Sequence, residues 1–152
     1  MERGFLVNNM MQDGSGDPGK HNIEIVRKLY SLAGRGKWAE AEQYLADDFT
    51  ILEADTLPFK GTYCGKGALQ KLFAIVVATA GIQGVEEEQM TAGGDRVVAL
   101  RVLLLQGSPP VRCRLAEVFR LRDGKVTEIL PFYFDSSMIV RSAEAFGAAG
   151  RT

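Results

Sequence analysis

The chain has 152 residues, which is enough for one domain with a buried core. Its hydrophobic content of 46% and charged content of 24% are ordinary for a globular protein, and its net charge of −1 gives no general reason to expect binding to nucleic acid or to a membrane. Two cysteines, Cys64 and Cys113, are too few for a disulfide framework, so we expect both to be reduced and the protein to be cytoplasmic.

The ends of the chain differ in pattern from the rest. Residues 1–19 are rich in Gly, Asn, Asp and Met without periodicity, and they predict a flexible leader. Residues 20–146 then form the single predicted domain, and residues 147–152 a frayed tail. A lone histidine, His21, with no Cys/His cluster nearby, argues against a zinc site.

Apolar residues recur at helical spacing in the first half of the chain, which predicts three helices. Their expected ranges are 23–34, with Asn22 as the N-cap, then 37–46 and 66–80. Trp38 is predicted to anchor the packing of the first two helices.

From residue 82 the apolar period changes to two, which predicts antiparallel strands joined by Gly-Gly and Asp-Gly turns. Their expected ranges are 82–92, 95–106, 110–122 and 125–135, followed by a short terminal helix. Pro131 is expected to interrupt the last strand at a bulge or an unpaired position. Helices followed by hairpins predict an α+β fold, with a curved sheet folded over the helices as a half-open cone.

The segment VRCRLAEVFRLR, residues 111–122, has two different faces when it is arranged as a strand. One face carries Arg112, Arg114, Arg120 and Arg122, which are predicted to pair with the acidic run at residues 86–88. The other face is apolar except for Glu117. A carboxylate on a buried face must be paired, protonated or directed into a cavity, so Glu117 is either a pocket residue or the partner of Arg101.

Other candidate site residues share the inside of the predicted cone. In the predicted strand FTILEAD, Glu53 and Asp55 follow Phe49 and Ile51 on one side, although strand ends also carry solvated acids. Tyr63 lies between glycines in a loop at the cone mouth, where packing is the alternative role. Further candidate ligand contacts are Phe119, Phe132 and Asp135, the last of which is also a potential helix cap.

Three segments, GKWAEAEQYLADDFTILEAD, FKGTYCGKGALQKLF and AEVFRLRDGKVTEILPFYFD, resemble the NTF2-like superfamily, within it the SnoaL-like and ketosteroid-isomerase-like branch, over most of residues 22–140. The resemblance implies a cone-shaped fold with three N-terminal helices packed on a strongly curved, mainly antiparallel sheet. It implies a pocket for a small hydrophobic carbonyl compound, cofactor-independent isomerase or cyclase chemistry, and a homodimer through the sheet face. The same superfamily also includes non-catalytic binding and dimerisation modules, which remain the alternative.

The resemblance also assigns roles to individual residues. Glu53 falls where the isomerases have the carboxylate that moves the proton, and Glu117 falls where they have a protonated acid that donates to the oxyanion. The oxyanion tyrosine of that family would fall at Leu29, next to Tyr30. Asp135 is the nearest match to an acid or base found late in SnoaL-like cyclases. No metal, cofactor or nucleic-acid partner is implied.

Overall fold

The computed structural model describes residues 17–151, which form four α-helices and one six-stranded sheet. The helices are α1 (Pro18–Gly34), α2 (Trp38–Ala41), α3 (Ala68–Ala80) and α4 (Ser136–Ala149). The strands are β1 (Leu45–Glu53), β2 (Gly61–Cys64), β3 (Ile82–Gly93), β4 (Arg96–Leu105), β5 (Val111–Arg122) and β6 (Lys125–Tyr133). The sheet order is β2-β1-β6-β5-β4-β3, and every neighbouring pair is antiparallel except β1 and β6.

The predicted α+β fold, with helices packed on a curved and mainly antiparallel sheet, is confirmed. The helices differ from the prediction in length, and one 3-10 turn is added. Helix α2 is a single turn followed by a 3-10 turn at Glu42–Tyr44, because the chain enters β1 at Leu45. Leu45 pairs there with Val126 of β6, so hydrogen bonding to the sheet replaces the expected continuation of the helix.

Helix α1 begins earlier than the predicted N-cap at Asn22. The Asp17 side chain accepts a hydrogen bond of 3.0 Å from the Gly19 backbone N–H, and Pro18 occupies the first turn. Proline is favoured at this position because its missing N–H would have had no partner within the helix. Residues 1–16 of the predicted leader lie outside the described residues, and α4 continues to Ala149 beyond the expected end at residue 146.

One prediction about the sheet was wrong, and the prediction for Pro131 was right only in part. The irregular loop expected after β1 contains the short strand β2, which pairs with β1 from Thr50 to Glu53. Pro131 does not interrupt the last strand but lies within β6, opposite Glu117. Strand β6 pairs with β1 only as far as Ile129, so the proline stands at a position without a β1 partner, where a missing N–H is tolerated.

The outer face of β5 carries the four arginines, as the period of two predicts. Arg112 pairs with Glu86 at 2.7 Å and Arg114 with Glu88 at 3.6 Å, as expected for the acidic run on β3. The other two arginines pair elsewhere: Arg120 with Asp95 and Arg122 with Asp48. The inner face packs on the helices around the fully buried side chains of Leu29, Phe49, Phe119 and Ile129. None of the helices within residues 17–151 has the length and apolar content needed to cross a membrane.

Candidate functional site

A cavity of about 450 Å³ lies between the inner face of the sheet and the helices α1 and α3. Its walls are largely apolar and include Trp38, Leu72, Phe73 and Val76. Trp38 and Phe73 stand with ring centroids 5.5 Å apart, so Trp38 lines the cavity against α3 rather than only joining the first two helices as predicted. A hollow of this size and lining is typical of a binding site for a small molecule.

Four neighbouring strands each direct one polar side chain into this cavity. They are Glu53 on β1, Tyr133 on β6, Glu117 on β5 and Arg101 on β4. The register explains the convergence of three of them, because Arg101 and Tyr133 both stand opposite Leu115, two residues from Glu117 on the same face.

Space remains beside Glu117 because the residues opposite it have short side chains. On β4 that residue is Ala99, and on β6 it is Pro131. Neither can reach across the hollow to contact the carboxyl group. The Glu117 Oε2 atom is buried and has no hydrogen-bond partner among the described residues, and burial raises the pKa of this carboxyl to about 8.

Glu53 ends β1 and is 3% exposed. Burial raises its pKa to about 7, and the neighbouring Tyr133 hydroxyl opposes part of that rise by interacting with the carboxylate. Burial thus raises the pKa of both carboxyls, and only Glu53 has a neighbour, the Tyr133 hydroxyl, that favours its ionised form.

Tyr133 provides a hydroxyl beside both acids. Burial is the main cause of its raised pKa, and the charges of Glu53 and Glu117 raise it further, so the phenol stays neutral and available as a donor. Sequence reasoning named Phe132 as a ligand contact instead, and the bulge expected at Pro131 left open which of residues 132–134 face inward. Phe132 is 56% exposed on the opposite face. A regular period of two through Ile129, Pro131 and Tyr133 would have identified the tyrosine.

Arg101 does not pair with Glu117, which was the alternative left open by the sequence. Its guanidinium carbon lies 3.4 Å from the centroid of the Tyr30 ring, a cation–π arrangement. Burial lowers the pKa of Arg101 to about 10, a shift that the charge of Glu87 opposes, and the group remains a cation at neutral pH. Leu29, at the position of the isomerase tyrosine, is packed in the core.

The remaining predicted site residues do not line the cavity. Asp55 is exposed in the turn after β1, and the Tyr63 hydroxyl donates a hydrogen bond of 2.8 Å to the Phe59 carbonyl. Phe119 is fully buried against Tyr30, with ring centroids 5.4 Å apart. Asp135 caps α4 and accepts a 2.9 Å hydrogen bond from the Ser137 backbone N–H. Each of these side chains lies outside the cavity. Of the site residues predicted from the sequence, Glu53 and Glu117 are the two that line it.

The arrangement offers two buried carboxyls with raised pKa values, one phenol hydroxyl and one cation in a largely apolar hollow that Gln83 and Glu87 also line. Such a set can remove a proton from carbon and hold the negative oxygen that results. Within residues 17–151, no three His, Cys, Asp or Glu side chains are grouped to hold a metal ion.

The sequence model of the SnoaL-like domain matches residues 26–129, and the chain therefore belongs to the SnoaL-like family. The predicted placement in the NTF2-like superfamily is confirmed by this match and by solved structures of the same fold. No curated protein matches the chain.

Three solved structures illustrate the likeness in fold. An NTF2-like protein from Burkholderia xenovorans LB400 is 21% identical with a TM-score of 0.66, and the alignment covers 82% of this chain and 97% of that protein. Bal32a, from a soil-derived mobile gene cassette, is 15% identical with a TM-score of 0.71 over 82% and 97% of the two chains. TerC, co-crystallised with polyporic acid, is 19% identical with a TM-score of 0.67 over 82% and 98%. At these identities the likeness establishes the fold alone.

Proposed function

We propose that this protein binds a small hydrophobic carbonyl compound in the cavity and catalyses an isomerisation or cyclisation by proton transfer, without a cofactor. The observation that carries the proposal is the convergence of Glu53, Glu117 and Tyr133 in one apolar hollow. Membership of the SnoaL-like family supports the general part of this proposal, namely a protein that binds a ligand or acts as an isomerase or cyclase.

Glu53 is the proposed base. Its ionised form is destabilised by burial, which raises its basicity to the range where a carboxylate can accept a proton from an activated carbon near neutral pH. The electron pair of the broken C–H bond then moves into the ligand and forms an enolate, whose charge collects on the former carbonyl oxygen.

Glu117 and Tyr133 are the proposed donors to that oxygen. Burial raises the pKa of both groups and so favours their neutral forms, in which each O–H can donate to a developing negative charge. Return of the proton from Glu53 to a different carbon completes an isomerisation. Attack of the enolate carbon on a second carbonyl of the same ligand, with protonation of the new alkoxide, completes a cyclisation.

The test is proton exchange at an activated carbon of a bound ketone. With 2-tetralone as the probe in deuterated buffer, NMR should show exchange at its benzylic α-carbon that is catalysed by the wild type. The exchange should fall by about 100-fold or more in Glu53→Gln. Glu144→Gln, on the exposed surface of α4, is the matched control and should retain the wild-type rate. Equal rates in wild type and Glu53→Gln would rule out Glu53 as the base.

We further propose that two copies associate through the outer face of the sheet. Exposed apolar residues lie together there on β1, β4 and β6, at Leu52, Leu100 and Phe132. The ion pairs Arg112–Glu86 and Arg120–Asp95 border this patch and present both signs of charge. In a dimer with a two-fold axis, the apolar patches of the two copies face each other, and charges of opposite sign meet at the edges of the interface.

A further inference from the structure

Arg101 is a buried cation without a matching anion. The residue is 9% exposed, and its Nε atom is buried without a hydrogen-bond partner. Among the described residues, no hydrogen bond or ion pair involves its guanidinium group, although the group lines the cavity. A guanidinium removed from water in this way carries a large desolvation cost unless a charged partner offsets it.

The neighbours of Arg101 do not supply that partner. Tyr30 offers only the face of its ring. Glu87 stands opposite Arg101 on β3, also lines the cavity, and favours the charged guanidinium, but it forms no ion pair with Arg101 and pairs instead with Arg27 of α1 at 3.5 Å. Glu117 projects from the next strand, but its buried Oε2 atom and the Arg101 Nε atom both lack hydrogen-bond partners, so the two side chains do not pair.

The cation has a fixed position relative to the proposed reaction site. Glu117 stands opposite Ala99, and Arg101 is two residues further along β4, which makes Arg101 and Glu117 diagonal neighbours on the inner face. Diagonal neighbours in a sheet are separated by about 7–8 Å between backbones. Stacking on Tyr30 holds the planar guanidinium at that place, which suits it to a directional contact.

We propose that the ligand of this cavity carries an anionic oxygen group, such as a carboxylate, which binds Arg101 and sets the orientation of the ligand. The inference rests on the proposed function insofar as the ligand occupies this cavity. It narrows the substrate class from a hydrophobic carbonyl compound to a hydrophobic keto acid. The acid end binds Arg101, while the carbonyl end faces Glu53, Glu117 and Tyr133.

The test compares two probes that differ only in charge, 2-naphthoate and 2-naphthamide. Isothermal titration at pH 7.5 should show the wild type binding the naphthoate about 10- to 100-fold more tightly than the amide, the range expected for a charge-assisted contact. Arg101→Met should reduce this ratio to about one, because it keeps an extended side chain without the charge. Arg101→Lys should retain part of the preference, since it retains the cation.

Arg114→Met is the matched control, because Arg114 lies on the outer face and pairs with Glu88. It should leave the ratio unchanged. A wild-type ratio near one, an unchanged ratio in Arg101→Met, or no measurable binding of either probe would each overturn the inference. Arg101→Lys and the wild-type ratio keep the test decisive if Arg101→Met does not fold. Equilibrium binding involves no proton transfer, so the result stands apart from the exchange test of Glu53.

Discussion

The guanidinium carbon of Arg101 lies 3.4 Å from the centre of the Tyr30 ring, on the border between the core and the cavity. The ring partly compensates a cation that has lost its water, and within residues 17–151 no carboxylate forms an ion pair with it. A group of this kind reduces the stability of the empty protein, because its best partner arrives only with the ligand.

Arg101→Met should therefore stabilise the ligand-free protein by about 1–3 kcal/mol in the free energy of unfolding. The methionine removes the desolvated charge while filling similar space, and this gain exceeds the loss of the cation–π contact, which is about 1–2 kcal/mol. Urea denaturation monitored by circular dichroism measures the difference. Arg114→Met should change stability by less than about 1 kcal/mol, because it breaks only an exposed ion pair. A clear loss of stability in Arg101→Met would contradict the prediction.

Tyr133→Phe should raise the pKa of Glu53 above its value of about 7, because the tyrosine hydroxyl favours the ionised carboxylate. The exchange of 2-tetralone should slow at pH 7 for two reasons, a smaller ionised fraction of Glu53 and the loss of one donor to the enolate. A carbon-13 NMR titration of the Glu53 carboxyl, assigned by its loss in Glu53→Gln, measures the pKa. Tyr63→Phe removes a hydroxyl bonded to the Phe59 carbonyl outside the cavity and should leave this pKa unchanged. The same Glu53 pKa in wild type and Tyr133→Phe would refute the proposed interaction.

Glu117→Gln should make the protein less sensitive to alkaline pH. The folded-state pKa of about 8 lies above the ordinary value of 4.5, so the folded protein binds a proton that the unfolded chain has released. The associated stability is present below the unfolded pKa and is lost as pH rises through about 8.

Between pH 5.5 and pH 9 the wild type should lose more stability than Glu117→Gln, by on the order of 3 kcal/mol. Urea unfolding at the two pH values measures this, and Glu144→Gln should follow the wild type. Equal losses in wild type and Glu117→Gln would show that the carboxyl is not held neutral by the fold.

Phe132→Asp should convert the proposed dimer to a monomer. The side chain is already exposed in the single chain, so the change leaves the core intact while placing a charge in the centre of the proposed interface. Size-exclusion chromatography with light scattering measures the mass. Val77→Asp, on an exposed apolar position of α3, is the control and should keep the wild-type mass. A wild type that is monomeric at high concentration would exclude this interface.

The alternation of side chains within β5 shows what a local sequence pattern can predict. It separated the arginine face from the face of Glu117 correctly, because side chains of a strand alternate whatever its partners are. Helix α3 and the turn at Asp123-Gly124 were predictable for the same reason, and the turn expected at Gly93-Gly94 lies one residue later, at Gly94-Asp95, since spacing and turn residues act over a few positions. The boundaries of α2 and β1 were not, because pairing with β6, far away in the sequence, decided where the helix stops.

The amino-acid sequence by itself determined the α+β fold, the family and the presence of two acids on inner-facing positions. Only the tertiary structure decided that Tyr133 rather than Phe132 enters the cavity, that Arg101 contacts Tyr30 instead of Glu117, and that Asp55 and Asp135 stay outside. The physical reason is that alternation along a strand is a local property. Which strands become neighbours, in which register, and what space remains between their side chains depend on contacts between residues far apart in the chain.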